Sequence, residues 1–206
     1  MLENTHGIAF PGKDNRKGSS NGQTQHRTYR GQRAARLAQW KTRQGAGEKS
    51  GEAKFAFTTI RIDDLPIYNQ DVQDPIPPAV ARMKSEIERA DGLLFVTPEH
   101  NRSIPALLKN AIDWGSRPHG KNSFAGKIAA MSGTSPGALG TALAQQHLRQ
   151  ILGILGVLVM GGESYVTFKP GLVDDSGTVT DEGTRGFLQK FTDQFAGLLA
   201  RTNPKD

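Results

Sequence analysis

A buried strand that runs almost directly into a helix, between Gly92 and Trp114, limits this chain to few folds. Residues Gly92–Thr97 are almost entirely apolar, which is typical of a parallel strand covered by helices on both faces. Ile104–Trp114 follows as an amphipathic helix, with Pro105 tolerated in its first turn. The two segments predict an α/β sheet, and the polar turn between them comes where such sheets bind ligands, outside the carboxyl end of a strand.

The same alternation of strand and helix continues on both sides of this segment. Strands are predicted at Phe55–Ile62, Lys127–Ser132 and Val157–Met160, with an extra edge piece at Tyr165–Phe168. Helices are predicted at about 79–90, 138–155 and 183–201. The second of these is expected to bury Leu139, Leu143, His147 or Leu148, and Ile151. Strands and helices at this spacing favour a doubly wound parallel sheet.

The N-terminal quarter does not follow this pattern. The chain of 206 residues has a net charge of +6, and residues 1–54 hold 11 Lys and Arg against 4 Asp and Glu. Arg27, Arg30, Arg33 and Arg36 recur at every third residue before Leu37 and Trp40, so a short basic helix is predicted there. Gly45–Gly51 has the composition of a flexible linker. Residues 1–54 are therefore interpreted as an atypical basic segment that replaces or distorts the first βα unit, and residues 55–206 as the remainder of the domain.

Composition excludes several kinds of protein. The absence of cysteine excludes disulfides and thiolate nucleophiles. No apolar run approaches the roughly 20 residues needed to cross a bilayer, and the N-terminus lacks a signal-peptide pattern, so a cytoplasmic protein is expected. The acids in Asp63–Asp71 are interpreted as a solvated turn, and no metal site is predicted. The basic segment has few interleaved aromatic residues, so a solvated face is preferred to a nucleic-acid partner, which stays an alternative.

A serine flanked by glycines lies between a predicted strand and a predicted helix. Gly133-Thr134-Ser135-Pro136-Gly137 matches the Gly-x-Ser-x-Gly elbow of α/β-hydrolases, which also joins a strand to a helix. That chemistry requires an acid and then a histidine after the serine. The last histidine of the chain is His147, inside the helix that follows, and it is predicted to be a packed helix residue. A hydrolase triad in that order cannot be assembled.

A dense set of residues around the first turn resembles the NAD(P)H-dependent FMN reductase family. The matching pattern is Ala90-Asp91-Gly92, then Pro98-Glu99-x-Asn101, Ser103-Ile104-Pro105 and Leu108-Lys109-Asn110-Ala111-Ile112-Asp113-Trp114. The block Asp63–Asp71, with its Leu-Pro-x-Tyr-Asn run, is similar as well. One departure is His100, which stands where the family usually has tyrosine. The resemblance is nearly continuous from about residue 55 to residue 199.

This resemblance implies a flavodoxin-like sheet with the strand order 2-1-3-4-5 and a bound FMN. The isoalloxazine ring would be held by Pro98, Glu99, His100, Asn101 and Ser103 together with Ser135, Pro136 and Gly137. The phosphate would be held by Arg16, Ser19 and Asn21. These are binding roles, so no catalytic residue of the protein is assigned.

The implied activity is an FMN-dependent oxidoreductase. NADPH or NADH would supply hydride, and a quinone, free flavin, azo compound or chromate-like ion would take the electrons in a ping-pong sequence. The resemblance also implies a homodimer or homotetramer. Lys13-Asp14 replaces the Gly-Ser that opens the family's phosphate loop, and an aspartate facing a phosphate is unfavourable. The alternative is therefore a non-enzymatic flavodoxin-like domain that has lost FMN binding, through divergence or a shifted reading frame in this segment.

Overall fold

The structure, a computed structural model, describes residues 36–42, 55–174 and 178–202 as a six-stranded sheet covered by helices. Its strands are β1 (Arg36–Thr42), β2 (Phe55–Ile60), β3 (Gly92–Val96), β4 (Ile128–Ser135), β5 (Leu158–Val159) and β6 (Tyr165–Thr167). Its helices are α1 (Pro78–Glu88), α2 (Ala106–Gly115), α3 (Ala142–Ile154) and α4 (Glu182–Thr202). A 3-10 turn at Gln70–Val72 lies between β2 and α1. The predicted strands and helices from residue 55 onward are all present, with ends shifted by a few residues.

The strand order is β2-β1-β3-β4-β5, and β6 also pairs with β4. β5 pairs with the amino end of β4 at Ile128 and Ala129, whereas β6 pairs with its carboxyl end at Gly133–Ser135. Both pairings are parallel, as is the pairing of β3 with β4. The α/β class is therefore confirmed, and the extra edge piece predicted at Tyr165 is present. The observed order has the same numbers as the predicted one, but its first strand is residues 36–42, where a helix was predicted, so the predicted order itself is not tested.

The first strand departs from the prediction. β1 runs antiparallel to both β2 and β3, with Arg36 opposite Val96 and Trp40 opposite Gly92. The all-parallel arrangement is therefore wrong for β1, and the basic helix predicted through Trp40 is wrong for residues 36–42, where pairing with two neighbouring strands overrides local preference. The linker predicted at Gly45–Gly51 lies outside the described residues, and the boundary drawn at residue 54 stays a prediction.

Two apolar layers hold the helices against the sheet. Alternate residues of a strand point to opposite faces. On β3 and β4, Leu93, Phe95, Ala129 and Met131 join the larger cluster with α1, α2 and α3. Ile128 and Ala130 join the second cluster with α4, through Phe195 and Leu199. Each fully buried Leu or Phe side chain contributes about 1.5–3 kcal/mol relative to an exposed one, which explains why these short strands form.

The segment after β2 is pinned to α2 by the indole of Trp114. Trp114 is 1% exposed, its Nε1 donates to the carbonyl oxygen of Pro66 at 2.8 Å, and its ring meets that of Tyr68 edge-on at 5.0 Å. Asn110, one turn earlier, donates from Nδ2 to the same carbonyl and accepts the backbone N–H of Tyr68. Asp63 and Asp64 in this segment pair with arginines, Asp63 with Arg61 at 2.8 Å and Asp64 with Arg82 at 2.9 Å. Both acids lie in a turn, and Asp63 is largely exposed, in agreement with the solvated turn predicted for them.

Candidate functional site

Two loops meet at the carboxyl edge of the sheet, one after β3 and one after β4. The backbone N–H of Thr97 donates to the carbonyl oxygen of Ser132 at 3.0 Å, so the strands stay paired up to the start of the first loop. The first loop, residues 97–105, contains the predicted Pro98–Ser103 turn. The second, residues 136–141, follows the predicted Ser135. Ligands of open α/β sheets bind at this kind of edge, and the site is built from these two loops.

The first loop is a tight reversal whose tip projects from the sheet. His100 and Ser103 exchange two backbone hydrogen bonds of 2.9 Å, and the two residues between them have positive φ angles, 50° at Asn101 and 64° at Arg102. Positive φ at both central positions defines a type I′ turn. Asparagine tolerates this conformation, whereas arginine is strained in it. The predicted residues His100 and Asn101 are both exposed at the tip, and the turn fixes where they emerge.

Glu99 joins this loop to the start of α3. Its Oε2 accepts the backbone N–H groups of Leu143 and Ala144 at 3.1 and 3.2 Å. Thr141, the residue before the helix, provides no side-chain cap, because its hydroxyl accepts a hydrogen bond from Gln145 instead. A carboxylate at a helix N-terminus satisfies unpaired amides and meets the positive end of the helix dipole. Glu99 was predicted to contact the flavin. In the structure its carboxylate caps α3, a helix that begins about 40 residues later.

Removing this cap should destabilise the protein measurably. We expect Glu99→Ala to lower the free energy of unfolding by about 1–2 kcal/mol, since two amides lose a charged acceptor. Glu99→Gln keeps an acceptor without charge and should lose about half as much. Urea unfolding followed by circular dichroism measures both. The matched control is Glu182→Ala, which removes an exposed acid from the first turn of α4; equal losses for Glu99→Ala and this control would contradict the capping role.

His147 lies on the exposed face of α3 and contacts the first loop. Its Nδ1 is 3.1 Å from the hydroxyl oxygen of Ser103. The prediction that His147 is a packed helix residue is therefore wrong, and Leu148 takes the buried position beside it. Leu139 and Leu143, which were expected to be buried, are 56% and 39% exposed. Sequence reasoning thus missed a histidine at the site, although it falls one helical turn after the two amides that Glu99 binds.

The glycine-rich motif that leads into the second loop begins inside a strand. β4 continues through Gly133 and Thr134 to Ser135, and Gly133 packs so closely against Thr97 and Thr141 that a side chain would not fit there. A Cβ atom built on Gly133 overlaps the carbonyl oxygen of Thr97 and the hydroxyl of Thr141, whereas one built on Gly137 meets only Ser135 Oγ at 3.6 Å. Ser135 is the last residue of the strand, and its Oγ accepts the backbone N–H of Gly137 at 3.2 Å. A nucleophile elbow places its serine on a strained turn directly before a helix, so this geometry also argues against a hydrolase.

The chemistry of this edge fits the ring of FMN. Thr134 Oγ1 is buried and has no hydrogen-bond partner among the described residues. Pro136, Gly137, Ala138 and Leu139 are all exposed, and open space adjoins Gly137 where a flat ligand could approach the backbone. An isoalloxazine ring offers both apolar faces and a polar edge, which match an exposed apolar loop beside an unsatisfied hydroxyl. Arg16, Ser19 and Asn21, predicted for the phosphate, lie outside the described residues.

A buried polar network supports the second loop from behind. The hydroxyls of Ser132 and Ser164 are 2.8 Å apart, and Gln145 Nε2 donates to the Ser164 carbonyl at 2.9 Å. On the outer side, Tyr165 accepts a hydrogen bond from Gln146 at 3.4 Å, and burial raises the pKa of its hydroxyl. A groove of about 620 Å³ extends from Tyr165 along β6 to the first turn of α4. None of the predicted site residues lines this groove, so its lining differs from the predicted ring site.

The fold and the position of this edge are those of the flavodoxin-like class. Residues 21–170 match the NADPH-dependent FMN reductase family, and the chain belongs to that family. It is 48% identical over 149 residues to a quinone reductase of Pseudomonas putida, covering 71% of this chain and 80% of the relative. It is 45% identical over 146 residues to a 2-hydroxy-1,4-benzoquinone reductase of a Burkholderia species, covering 70% and 80%.

A solved structure agrees with these sequence relatives. The flavoenzyme NAD(P)H:(acceptor) oxidoreductase FerB from Paracoccus denitrificans is 45% identical, with a TM-score of 0.67, over 69% of this chain and 79% of that chain. The predictions of the family, the fold class, an oxidoreductase, and FMN with NADPH or NADH are therefore confirmed. Within the ranges that the structure covers, no helix is long and apolar enough to cross a membrane.

Proposed function

We propose that this chain is an NAD(P)H:quinone oxidoreductase that binds FMN between its two carboxyl-edge loops. The observation that carries the proposal is the pairing of an exposed type I′ turn after β3 with an open glycine loop after β4, linked through Glu99 and α3. The quinone reductase relatives support a quinone as the acceptor. Free flavins, azo compounds and chromate are further acceptors for the same site.

Each loop has a distinct role in this proposal. The exposed His100 and Asn101 contact the ring, and Pro98, which is buried in the structure, lies behind them in the same loop. Glu99 holds this loop against α3, and His147 orients the hydroxyl of Ser103. Ser135, Pro136 and Gly137 form the opposite contact. The chemistry that FMN supplies when bound is acceptance of a hydride from a nicotinamide and donation of two electrons to the acceptor. The protein binds and orients the flavin and shields it from solvent, and nicotinamide and quinone occupy the site in turn.

The reversal of β1 favours a second candidate, a non-enzymatic flavodoxin-like domain that has lost FMN binding. In flavodoxin-like proteins the phosphate lies at the carboxyl edge of the sheet, in the loop that follows the first strand. Here β1 ends at Thr42, whose register places it beyond Gly92 at the amino edge of β3. The loop that follows β1 therefore begins at the wrong edge to hold a phosphate beside Pro98. The cytoplasmic location, the oligomeric state and the roles of Arg16, Ser19 and Asn21 stay predictions.

The absorption spectrum separates the two candidates. Purified protein is incubated with micromolar FMN and desalted, and retained flavin bands support the reductase. NADPH or NADH oxidation is then followed with 1,4-naphthoquinone as acceptor. Protein that retains no FMN and oxidises no nicotinamide overturns the proposed function and supports the second candidate.

One variant isolates a predicted ring contact without disturbing the turn. Glycine adopts the 50° φ angle of Asn101 freely, so Asn101→Gly removes the amide and keeps the backbone. We expect the dissociation constant of FMN to rise about three- to tenfold, the effect of losing one hydrogen bond. Quenching of FMN fluorescence measures it. The control is Asn69→Gly, which removes an exposed amide that caps the 3-10 turn after β2 and should leave FMN binding unchanged. An unchanged constant in Asn101→Gly would contradict the contact.

A further inference from the structure

The groove along β6 has an apolar lining that the proposed function does not use. It has a volume of about 620 Å³ and extends from Tyr165 to α4. Phe187 of α4 is 43% exposed and lines the groove together with Val166 and Leu172. Val166 and Leu172 are held from behind by a small apolar cluster that includes Leu188. An exposed aromatic ring beside further apolar side chains in a concave surface is typical of a ligand site.

The polar groups of the groove are largely engaged within the protein. Thr180 Oγ1 donates to the carbonyl oxygen of Gly171 at 2.6 Å, and Asp181 Oδ1 accepts the backbone N–H of Thr184 at 2.7 Å. The N-terminus of α4 therefore already has a carboxylate as its cap. Of the described residues that line the groove, Lys169 and Asp181 are charged, with opposite signs. The lining thus offers an anion no net positive charge, and what it offers a ligand is apolar surface.

The groove adjoins the edge of the sheet where we place the flavin ring. β6 lies directly beside the carboxyl end of β4, and the register pairs Thr134 with Val166. Residues paired in this way point to the same face of a sheet, and neighbouring strands are about 4.8 Å apart. The hydroxyl of Thr134, which has no hydrogen-bond partner among the described residues, therefore lies one strand from the apolar lining. The backbone N–H of Phe168 also donates to the carbonyl oxygen of Ser135 at 2.9 Å, which fixes the groove beside the second loop.

We infer that this groove binds the hydrocarbon tail of the quinone acceptor, a prenyl or alkyl chain carried on the quinone ring. The inference rests on the proposed function and names the quinones that the site favours. The reaction converts NAD(P)H, one proton and the quinone into NAD(P)⁺ and the hydroquinone, with two electrons transferred and the tail unchanged. The tail lies along Phe187 and Leu172, so these side chains determine specificity and have no role in moving electrons or protons.

The test compares two acceptors that share one ring and differ in the tail. Protein saturated with FMN is assayed with 2,3-dimethoxy-5-methyl-1,4-benzoquinone and with its 6-decyl derivative, each kept below its solubility limit. We expect KM to be about tenfold lower for the decyl quinone, because the chain leaves water for the groove. Phe187→Ala should raise KM for the decyl quinone about three- to tenfold and leave the short quinone unchanged, and Phe187→Leu should restore most of the difference.

A second exposed apolar residue provides the matched control. Ile154, the last residue of α3, is 86% exposed and precedes β5, which pairs with the amino end of β4. Ile154→Ala removes exposed apolar surface at the opposite edge of the sheet and should leave both acceptors unaffected. Calorimetric titration of the wild type and the variants with the decyl quinone, without nicotinamide, gives a readout that does not depend on turnover.

The outcomes separate this inference from the proposed function. If the wild type reduces both quinones with equal KM values, or Phe187→Ala changes both values equally or neither, the inference is overturned and the proposed function stands. If Ile154→Ala reproduces the effect, binding of the tail is non-specific and the inference is likewise overturned. Protein that reduces neither quinone but binds the decyl quinone, with a loss in Phe187→Ala, overturns the proposed function and supports the groove as the site of the chain. Protein that neither reduces nor binds the decyl quinone overturns both.

Discussion

Gly133→Ala is expected to destabilise the protein severely and to abolish FMN retention. The new Cβ atom would overlap the backbone oxygen of Thr97, which is held in the sheet and cannot turn away as a side chain could. Overpacking a buried site costs about 1–3 kcal/mol when side chains can adjust, so we expect a loss of at least about 3 kcal/mol here. Because Thr97 begins the first loop, the same displacement would move Pro98 and the turn that follows. Urea unfolding and FMN retention measure the two effects.

Gly137→Ala is the matched control within the same five-residue motif. Gly137 has open space around it and no positive φ angle, so an added methyl group should leave stability unchanged or raise it by up to about 1 kcal/mol. In the proposed function the methyl group still obstructs the flat ligand and weakens FMN binding. Equal loss of stability in the two variants would contradict the close approach at Gly133.

Trp114→Ala should have a similarly large effect on stability. The indole is completely buried, and its removal leaves a cavity beside Tyr68 and deprives the Pro66 carbonyl of one donor. Loss of a buried tryptophan costs about 3–5 kcal/mol. Trp114→Phe keeps an aromatic ring for Tyr68, and Asn110 still donates to Pro66, so we expect about 1–2 kcal/mol. Far-ultraviolet circular dichroism follows unfolding without relying on tryptophan emission.

The control for this prediction comes from the same segment. Ile67 lies one residue after Pro66 and is 88% exposed. Ile67→Ala should change stability by less than about 0.5 kcal/mol, as is usual for an exposed position. If Trp114→Ala were no less stable than Ile67→Ala, the segment would not depend on the indole for its attachment to α2.

The part of the fold around β3 and α2 could be predicted because its sequence signals agree. A five-residue apolar strand, a polar turn and a helix with Leu108, Ala111 and Ile112 on its buried face allow one arrangement only. The apolar patterns of β4, α3 and α4 likewise made it possible to predict these three elements from the sequence. Their ends differed by a few residues, as at Ser135, where pairing with β6 prolongs the strand.

The direction of β1 could not be predicted in this way. The side-chain pattern of a strand has a period of two and is the same in either direction. Direction is set by the connections and by pairing with β2 and β3, which are tertiary features. The arginine spacing before β1 further suggested a helix, and for residues 36–42 pairing on both edges outweighed it.

The contacts within the site were also beyond the sequence. Glu99 was recognised as part of a family motif, but a carboxylate that caps a helix more than 40 residues away leaves no local mark. His147 occupies a position next to the buried Leu148, and a shift of one residue around the helix decides which of the two faces the core. Patterns locate the edge where a ligand binds, and packing decides what each polar group there contacts.

The shared carboxylate of Glu99 has a consequence for local unfolding. Fraying of the first turn of α3 releases the Glu99 carboxylate, and the turn at His100–Ser103 then loses its link to that helix and keeps its own two backbone hydrogen bonds. The stabilities of the two segments are therefore coupled through one side chain although they are far apart in the chain. A ligand that orders either segment therefore also protects the other from opening. Because Glu99 already restrains the loop, part of the loop's conformational entropy is lost before any ligand binds.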